Sequence, residues 1–368
     1  MNDEQEMEVG EVVIKDLRQA YAYTYIWPDA GGQVRGKVKV LLLEEPAKID
    51  DLPDWRFDGG STGQGTEDES DCILKPKHLF KDIVVCEVYT TDDKPHKTNY
   101  RDHLVKVEKK DQNDLHFGVE QEFTITQLFG QPIVMDSERP RELGEVQPIS
   151  KAARGYEKTA NPFESTRIVG KRSGYCMGDN PGLDLVKQHM QTCLQYELPY
   201  GGYNAEVTRH QWEYQLGPAE GFVMADAILV SRWLLQQIAE TLGHAITFEP
   251  KPFDDLNGAG CHINISCKAS REMKEHWEQH DVLWKMVDKL EPWHEEHMLA
   301  YGDNSLRMTG THETSDPKVF SAGDGSRNTS IRVPDGISNQ CYIEDRRPAS
   351  DVDPYRAFAR ITETLNYD

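Results

Sequence analysis

HFGVEQEF (residues 116–123) sets two glutamates one residue apart between flanking phenylalanines. Alternate residues of a strand leave on the same face, so Glu120 and Glu122 point the same way. Like charges at that spacing repel, and burying them is costly unless something positive compensates. The pair raises the question of what, if anything, lies between them.

The bulk properties narrow what that is. The chain has 368 residues, 41 basic against 63 acidic, for a formal net charge of −22. With 38% hydrophobic residues and a mean hydropathy of −0.68, it has enough apolar content for a core beneath a heavily charged surface. Such an acidic balance argues against nucleic acid and against anionic membranes, which need basic surface. A nucleotide needs only a few arginines or a metal. Seven cysteines at irregular spacing suggest neither a disulfide framework nor a zinc motif, and point to reduced thiols in a cytoplasmic protein. The acidic start MNDEQEMEVG lacks the features of a signal peptide. In GFVMADAILVSRWLLQQIAETLGHAI (221–246), Ile228, Leu235, Ile238 and Leu242 recur at helical spacing among Asp226, Arg232, Gln236 and Glu240. That pattern predicts an amphipathic core helix and no membrane span.

Organisation changes along the chain. YAYTYIW, KVKVLLLEE and IVVCEVY read as strands of a small N-terminal sheet, with RFDGGSTGQGTEDESD (56–71) as a glycine-rich loop between them. Pro and polar clustering in TDDKPHKTNYRDH (91–103) marks a boundary, giving units 1–101 and 102–368. Beyond it strands alternate with long helices, including LDLVKQHMQTCLQY, with Val186, Met190 and Cys193 on one face. DPYRAFARITETL closes the chain as a helix capped by Asp353 with Pro354 in its first turn. The polar stretch 127–173 reads as a long loop or insertion.

Further acids accompany the opening pair. YNAEVTRHQWEYQLGP holds Glu206 and Glu213, NGAGCHINIS places His262, Asn264 and Ser266 at alternate positions, and CYIEDRRP holds Glu344 beside two arginines. Carboxylates with one imidazole and no suitably spaced thiolate suit Mg²⁺ or Mn²⁺ better than structural zinc. Arginines form a second group: Arg101, Arg307, Arg327, Arg332, Arg346 and Arg347. Planar guanidinium groups bind phosphate and carboxylate through paired hydrogen bonds, and beside metals they suit phosphoryl transfer. Taken singly, these signals are weak: a lone pair of alternate glutamates more often marks a solvated strand face, a histidine after a glycine-rich turn a hydrogen-bonded structural residue, and an arginine a structural pair with one of the many acids.

In order, FDGGSTGQG, KTNYR, FGVEQEF, NAEV…QWEYQLGP, NGAGCHINIS, RMTGTHETS, SRNTSIRVP and YIEDRRPASDVDPY closely resemble glutamine synthetase in its eukaryotic-type, short-chain form. The resemblance implies an α+β fold: an N-terminal β-grasp domain and a larger catalytic domain with a curved antiparallel sheet flanked by helices. It implies ATP-dependent ligation of ammonia to L-glutamate through γ-glutamyl phosphate, in the cytoplasm, by a homo-oligomer of two stacked pentameric rings with active sites between subunits. It assigns Glu122, Glu206 and Glu213 to one metal and Glu120, His262 and Glu344 to another, with two or three Mg²⁺ or Mn²⁺ ions per site. Arg327 and Arg332 match positions at the transferring phosphate, Arg307 and Arg346 positions that bind glutamate, and Asn257 and Gly258 the loop beside its amino group. Asp58, with Ser61, matches the ammonium-binding acid given by a neighbouring subunit. Glu313 matches a flap carboxylate, and Asn264, Ser266 and Tyr342 fall along the nucleotide site. His116 stands where this form has a tryptophan near the adenine, and GDGSRN departs from its usual ANR. A larger amine as co-substrate, or a catalytically silent ring protein, are the alternative readings.

Overall fold

The computed structural model describes residues 18–66, 68–128, 131–132, 174–177, 180–253, 256–334 and 341–367. The first sheet contains β1 (Gln19–Pro28), β2 (Val34–Leu43), β3 (Trp55–Asp58), β4 (Asp71–Phe80) and β5 (Ile83–Tyr89), ordered β2-β1-β5-β4-β3. β1 and β5 are parallel at its centre, and the other pairings are antiparallel. Alternation along β1 gives each face its own task. Tyr23, Tyr25 and Trp27 bury with Leu74, Val84, Cys86 and Val88 on one side, while Ile26, Ile83 and Val85 join the larger core on the other.

The stretch expected as a loop from residue 56 begins as a strand. Arg56, Phe57 and Asp58 pair with Ile73, Cys72 and Asp71. Phe57 is drawn in by Trp27, whose ring centroid lies 4.7 Å away. Burial of that aromatic outweighs the glycines that follow it, so the loop starts only at Gly59.

The second sheet has nine strands: β6 (His116–Leu128), β7 (Gln131–Pro132), β8 (Tyr200–Ala205), β9 (Gln211–Glu220), β10 (Ala245–Thr247), β11 (Cys261–Ser266), β12 (Ala322–Asp324), β13 (Ile331–Val333) and β14 (Ile343–Asp345). Its order is β12-β13-β14-β11-β6-β9-β8, with β7 and β10 also on β6. It is antiparallel as expected, except that β12 and β13 run parallel. Residues 127, 128, 131 and 132, expected in a loop, are strand residues that extend and pair with β6. The remainder of that expected insertion, to residue 173, lies outside the described residues.

Helices α1 (Tyr100–Glu108), α2 (Leu183–Gln195), α3 (Gly221–Thr241), α4 (Lys268–Glu272), α5 (His276–Leu290), α6 (His294–Ala300) and α7 (Pro354–Leu365) complete the α+β architecture. Asp353 caps α7 by accepting from the Arg356 N–H at 3.1 Å, with Pro354 in the first turn, as its sequence predicts. On α2, Val186 and Cys193 bury as expected, Met190 is only half-buried, and Leu185 and His189 join the buried side.

Helix α3 is long and apolar enough to cross a membrane, but it runs through the protein core. It is also less amphipathic than its sequence suggests, because Asp226 and Arg232 are themselves buried. Arg232 donates to Gln121 Oε1 and to the carbonyls of Ser350 and Val352. Gln121 thus fixes the back of β6, opposite the face that carries Glu120 and Glu122. Asp226 accepts two bonds from Arg101 at 2.9 Å and one from Tyr355 at 2.7 Å, and meets His78 Nδ1 at 2.9 Å. Arg101 also pairs with Glu87 at 2.9 Å. This network joins β4 and β5 to α1, α3 and α7. Arg101, a phosphate candidate from sequence, is therefore a structural residue, held by two buried acids.

Candidate active site

Strand register brings the scattered acids together. His262 of β11 stands opposite Glu120 of β6, while Glu122 stands opposite Glu213 of β9. On the other side, Glu344 of β14 is opposite both Asn264 and Arg332. His262 Nδ1 lies 3.6 Å from Glu120 Oε2 and 3.4 Å from Glu344 Oε1, and its Nε2 is 4.0 Å from Glu122 Oε1. One possible ligand atom each from Glu120, His262 and Glu344 lie within 4.8 Å of one another, as do those of Glu122, Glu213 and His262. The second grouping differs from the expected set in that His262 replaces Glu206. The Glu206 carboxylate instead accepts from Asn204 Nδ2 at 3.2 Å and from the Val207 N–H.

These groups fit divalent cations. Burial, reinforced by the charge of Glu206, pushes Glu122 up to about 8, and burial with the surrounding acids raises Glu213 well above the carboxylate range. Glu206 is raised by burial as well. Burial and Arg346 hold His262 well below its ordinary value, leaving a neutral imidazole. Its Nδ1 is buried without a hydrogen bond among the described residues. A lone pair among packed carboxylates is the donor set a hard or borderline cation takes.

Arginines border the acids. Arg332 Nη1 donates to Glu344 Oε2 at 2.8 Å, and Arg346 Nη1 donates to Glu344 Oε1. Arg346 also donates to the carbonyls of Arg327 at 3.1 Å and Glu313 at 3.4 Å, so it joins the two loops that carry those residues. Arg307 is buried and held by Asn304 and by the carbonyls of Arg346, Arg347 and Pro348. Arg347, grouped with these from sequence, belongs elsewhere. It is fully buried, paired with Asp345 at 2.7 Å and bonded to His294 Nδ1 at 3.0 Å, beneath the site.

The loop before β11 closes on this constellation. The Gly260 N–H donates to Glu122 Oε2 at 2.7 Å. A Cβ at Gly258 would come within 2.5 Å of Arg307 Cγ and of the Pro250 carbonyl, so only glycine lets the backbone pass there.

Over 360 residues the chain is 38% identical to a glutamine synthetase from Hebeloma cylindrosporum, an alignment covering 92% of each sequence. The chain belongs to the glutamine synthetase family. The family model described as "Glutamine synthetase, catalytic domain" matches residues 99–281. A glutamine synthetase from Yarrowia lipolytica is 37% identical over 357 residues, covering 93% of this chain and 89% of that one. The cryo-EM structure of Plasmodium falciparum glutamine synthetase shares the fold, with a TM-score of 0.68 at 18% identity over 94% of this chain and 71% of that one.

Other positions suggested by the resemblance to glutamine synthetase spread outward from the metal groups. Asn264 Nδ2 donates to Glu120 Oε1 at 3.0 Å. Ser266 lies at the far end of β11, where its hydroxyl accepts from Arg271 at 3.1 Å. Tyr342 is half-buried, its phenol raised by burial and by Glu120. Asn257 is half-buried beside Gly258. Glu313 and Arg327 are exposed, and Glu313 has a φ of 60°. Asp58 lies in the first sheet, exposed, accepting from Ser61 Oγ at 2.6 Å and from the Gly60 N–H at 2.9 Å. Those bonds hold its carboxyl below the usual range.

One glutamine escaped the sequence reading. Gln211 Nε2 donates to Glu122 Oε2 at 3.0 Å and to the Gly258 carbonyl at 2.8 Å. The alternation that grouped His262 with Asn264 and Ser266 also groups Gln211 with Glu213 and Gln215, so the signal was present in QWEYQ.

Proposed function

We propose that this chain ligates ammonia to the γ-carboxylate of L-glutamate at the expense of ATP, yielding glutamine, ADP and phosphate. The observation that carries this reading is the convergence of four glutamates and one neutral histidine on one sheet face, with Glu206 just past the end of β8 and arginines at the border. Glu120, His262 and Glu344 would hold one Mg²⁺ or Mn²⁺, and Glu122, Glu213 and Glu206 a second, with two or three ions per site by resemblance. Bound there, the cations supply positive charge against the phosphate oxygens and keep the acids ionised.

A carboxylate is a poor acylating agent, so its oxygen first attacks the γ-phosphorus of ATP and the bond to the bridging oxygen of ADP breaks. Arg307 and Arg346 orient glutamate, while Arg327 and Arg332 share the charge on the transferring phosphoryl group. Asn257 and Gly258 meet the amino group, and Asn264, Ser266 and Tyr342 border the nucleotide. Ammonium then gives a proton to Asp58 of the partner subunit, with Ser61 of the partner subunit beside it. Its nitrogen attacks the acyl carbon, the adduct gives up a second proton to solvent or to the departing phosphate, and the bond from carbon to the phosphate oxygen breaks to leave the amide. Glu313 closes over the acyl phosphate and keeps water from it.

By resemblance, Asp58 of one subunit completes the site of its neighbour in a ring, two stacked pentamers in all. The first sheet precedes α1 in the chain and the second follows it, which supports two units, 1–101 and 102–368, meeting in the first turn of that helix. A cytoplasmic setting agrees with seven free cysteines. Phosphate release from ATP tests the reaction. It should require glutamate and ammonium together, and fall sharply in Glu313→Ala and Asp58→Ala. Release supported by ethylamine or putrescine in preference to ammonium would overturn it.

A further inference from the structure

We propose that Gln211 is a positioning residue that couples the glutamate loop to the metal ligand Glu122, an inference that rests on the ligase reading above. Gln211 opens β9 and is almost wholly buried. Both partners of its Nε2, the Glu122 carboxylate and the Gly258 carbonyl, are acceptors, so the amide orientation is fixed.

Glu122 is divided by this arrangement. Its Oε2 is tied to the loop twice, through Gln211 and through the Gly260 N–H, while its Oε1 faces His262. The Glu122 N–H adds a third tie by donating to the Gly260 carbonyl at 3.0 Å. The Gln211 backbone reaches the other acids too, since its carbonyl accepts from the Glu206 N–H at 3.0 Å. One side chain therefore spans the loop that meets the substrate amino group and the carboxylate that meets a cation. A displacement of Gly258 moves the donor that aims Glu122, and the reverse also holds.

Such a link makes binding of the two ligands interdependent, and the interdependence is reciprocal. The test is calorimetric titration of the full-length, metal-stripped oligomer with Mn²⁺, with and without saturating L-glutamate. Wild type is compared with Gln211→Met, which keeps length and loses both donors. Direct contact between the substrate γ-carboxylate and the metal is common to both proteins, so the ratio of their coupling factors isolates the amide.

Glutamate should tighten Mn²⁺ binding in wild type, and the factor should fall at least threefold in Gln211→Met. An equal factor in the two proteins overturns the proposal. Absence of glutamate or Mn²⁺ binding in wild type would instead sink the ligase reading itself. Should Gln211→Met not fold, Gln211→Asn, one methylene too short to span both acceptors, is read in the same way.

Discussion

Glu122 and Glu213 stand directly opposite each other across β6 and β9, and both are buried. Like charges in that relation destabilise a sheet, and buried ones do so more strongly. Evolution of a stable fold around such a pair makes sense if a cation joins them.

Removal of divalent metal should therefore lower the melting temperature, and Mn²⁺ at a hundred times its Kd should restore about 2.7 kcal/mol for each ion bound. Glu213→Gln removes one of the two charges. Its metal-free form should melt at or above the metal-free wild type, and Mn²⁺ should raise it far less. A full metal response in Glu213→Gln, read by thermal scan, would count against the pairing.

The acid network around Asp226 gives a stability prediction remote from catalysis. Asp226→Ala leaves the buried Arg101 guanidinium with Glu87 as its remaining acid and strips partners from His78 and Tyr355. Breaking one member of a buried pair costs about 3–5 kcal/mol. Urea unfolding should show that loss, and a change below about 1 kcal/mol would show that the network is not what holds the first sheet to α3.

Glu108 supplies a pH dependence. Both its carboxylate oxygens accept from the Phe222 N–H at the start of α3, and burial pushes it up to about 7 from 4.5. The folded state thus holds a proton that the unfolded chain has released. The stability from this group is fully present below the unfolded value and is lost as pH rises through about 7. Glu108→Gln carries no charge, so its stability relative to wild type should grow by up to about 3 kcal/mol between about pH 5 and about pH 8. A difference that stays flat with pH would refute the assignment.

His116 faces Ser266 of β11 and Glu220 of β9 at the start of β6. The resemblance to glutamine synthetase puts this position beside adenine, and on that reading a larger aromatic ring there should stack better, by about 0.5–1.5 kcal/mol. His116→Trp is expected to lower the KM for ATP while leaving that for glutamate unchanged. An unchanged KM for ATP in steady-state assays would remove the idea.

Local spacing made part of this site legible and left the rest hidden. Glu120 and Glu122 declare a shared face because strand geometry is local, and so do His262 and Asn264. That His262 meets Glu120, or that Glu122 meets Glu213, depends on register between strands far apart in sequence, which no local pattern encodes. Burial misled in both directions. Asp226 and Arg232 looked like the solvent face of a helix, yet Asp226 is neutralised within the core by Arg101 and Arg232 has its donors taken by the Gln121 amide and two backbone carbonyls. Arg101 and Arg347 looked like phosphate ligands, yet each is taken by buried acids. An arginine's type states what it binds, and only the fold states whether that partner is a ligand or a neighbour.

The most direct measurement is anomalous scattering from crystals grown with Mn²⁺ and ADP. Peaks are predicted between Glu120, His262 and Glu344, and beside Glu122 and Glu213. Clear ADP density with no manganese at either place would contradict the account at its root.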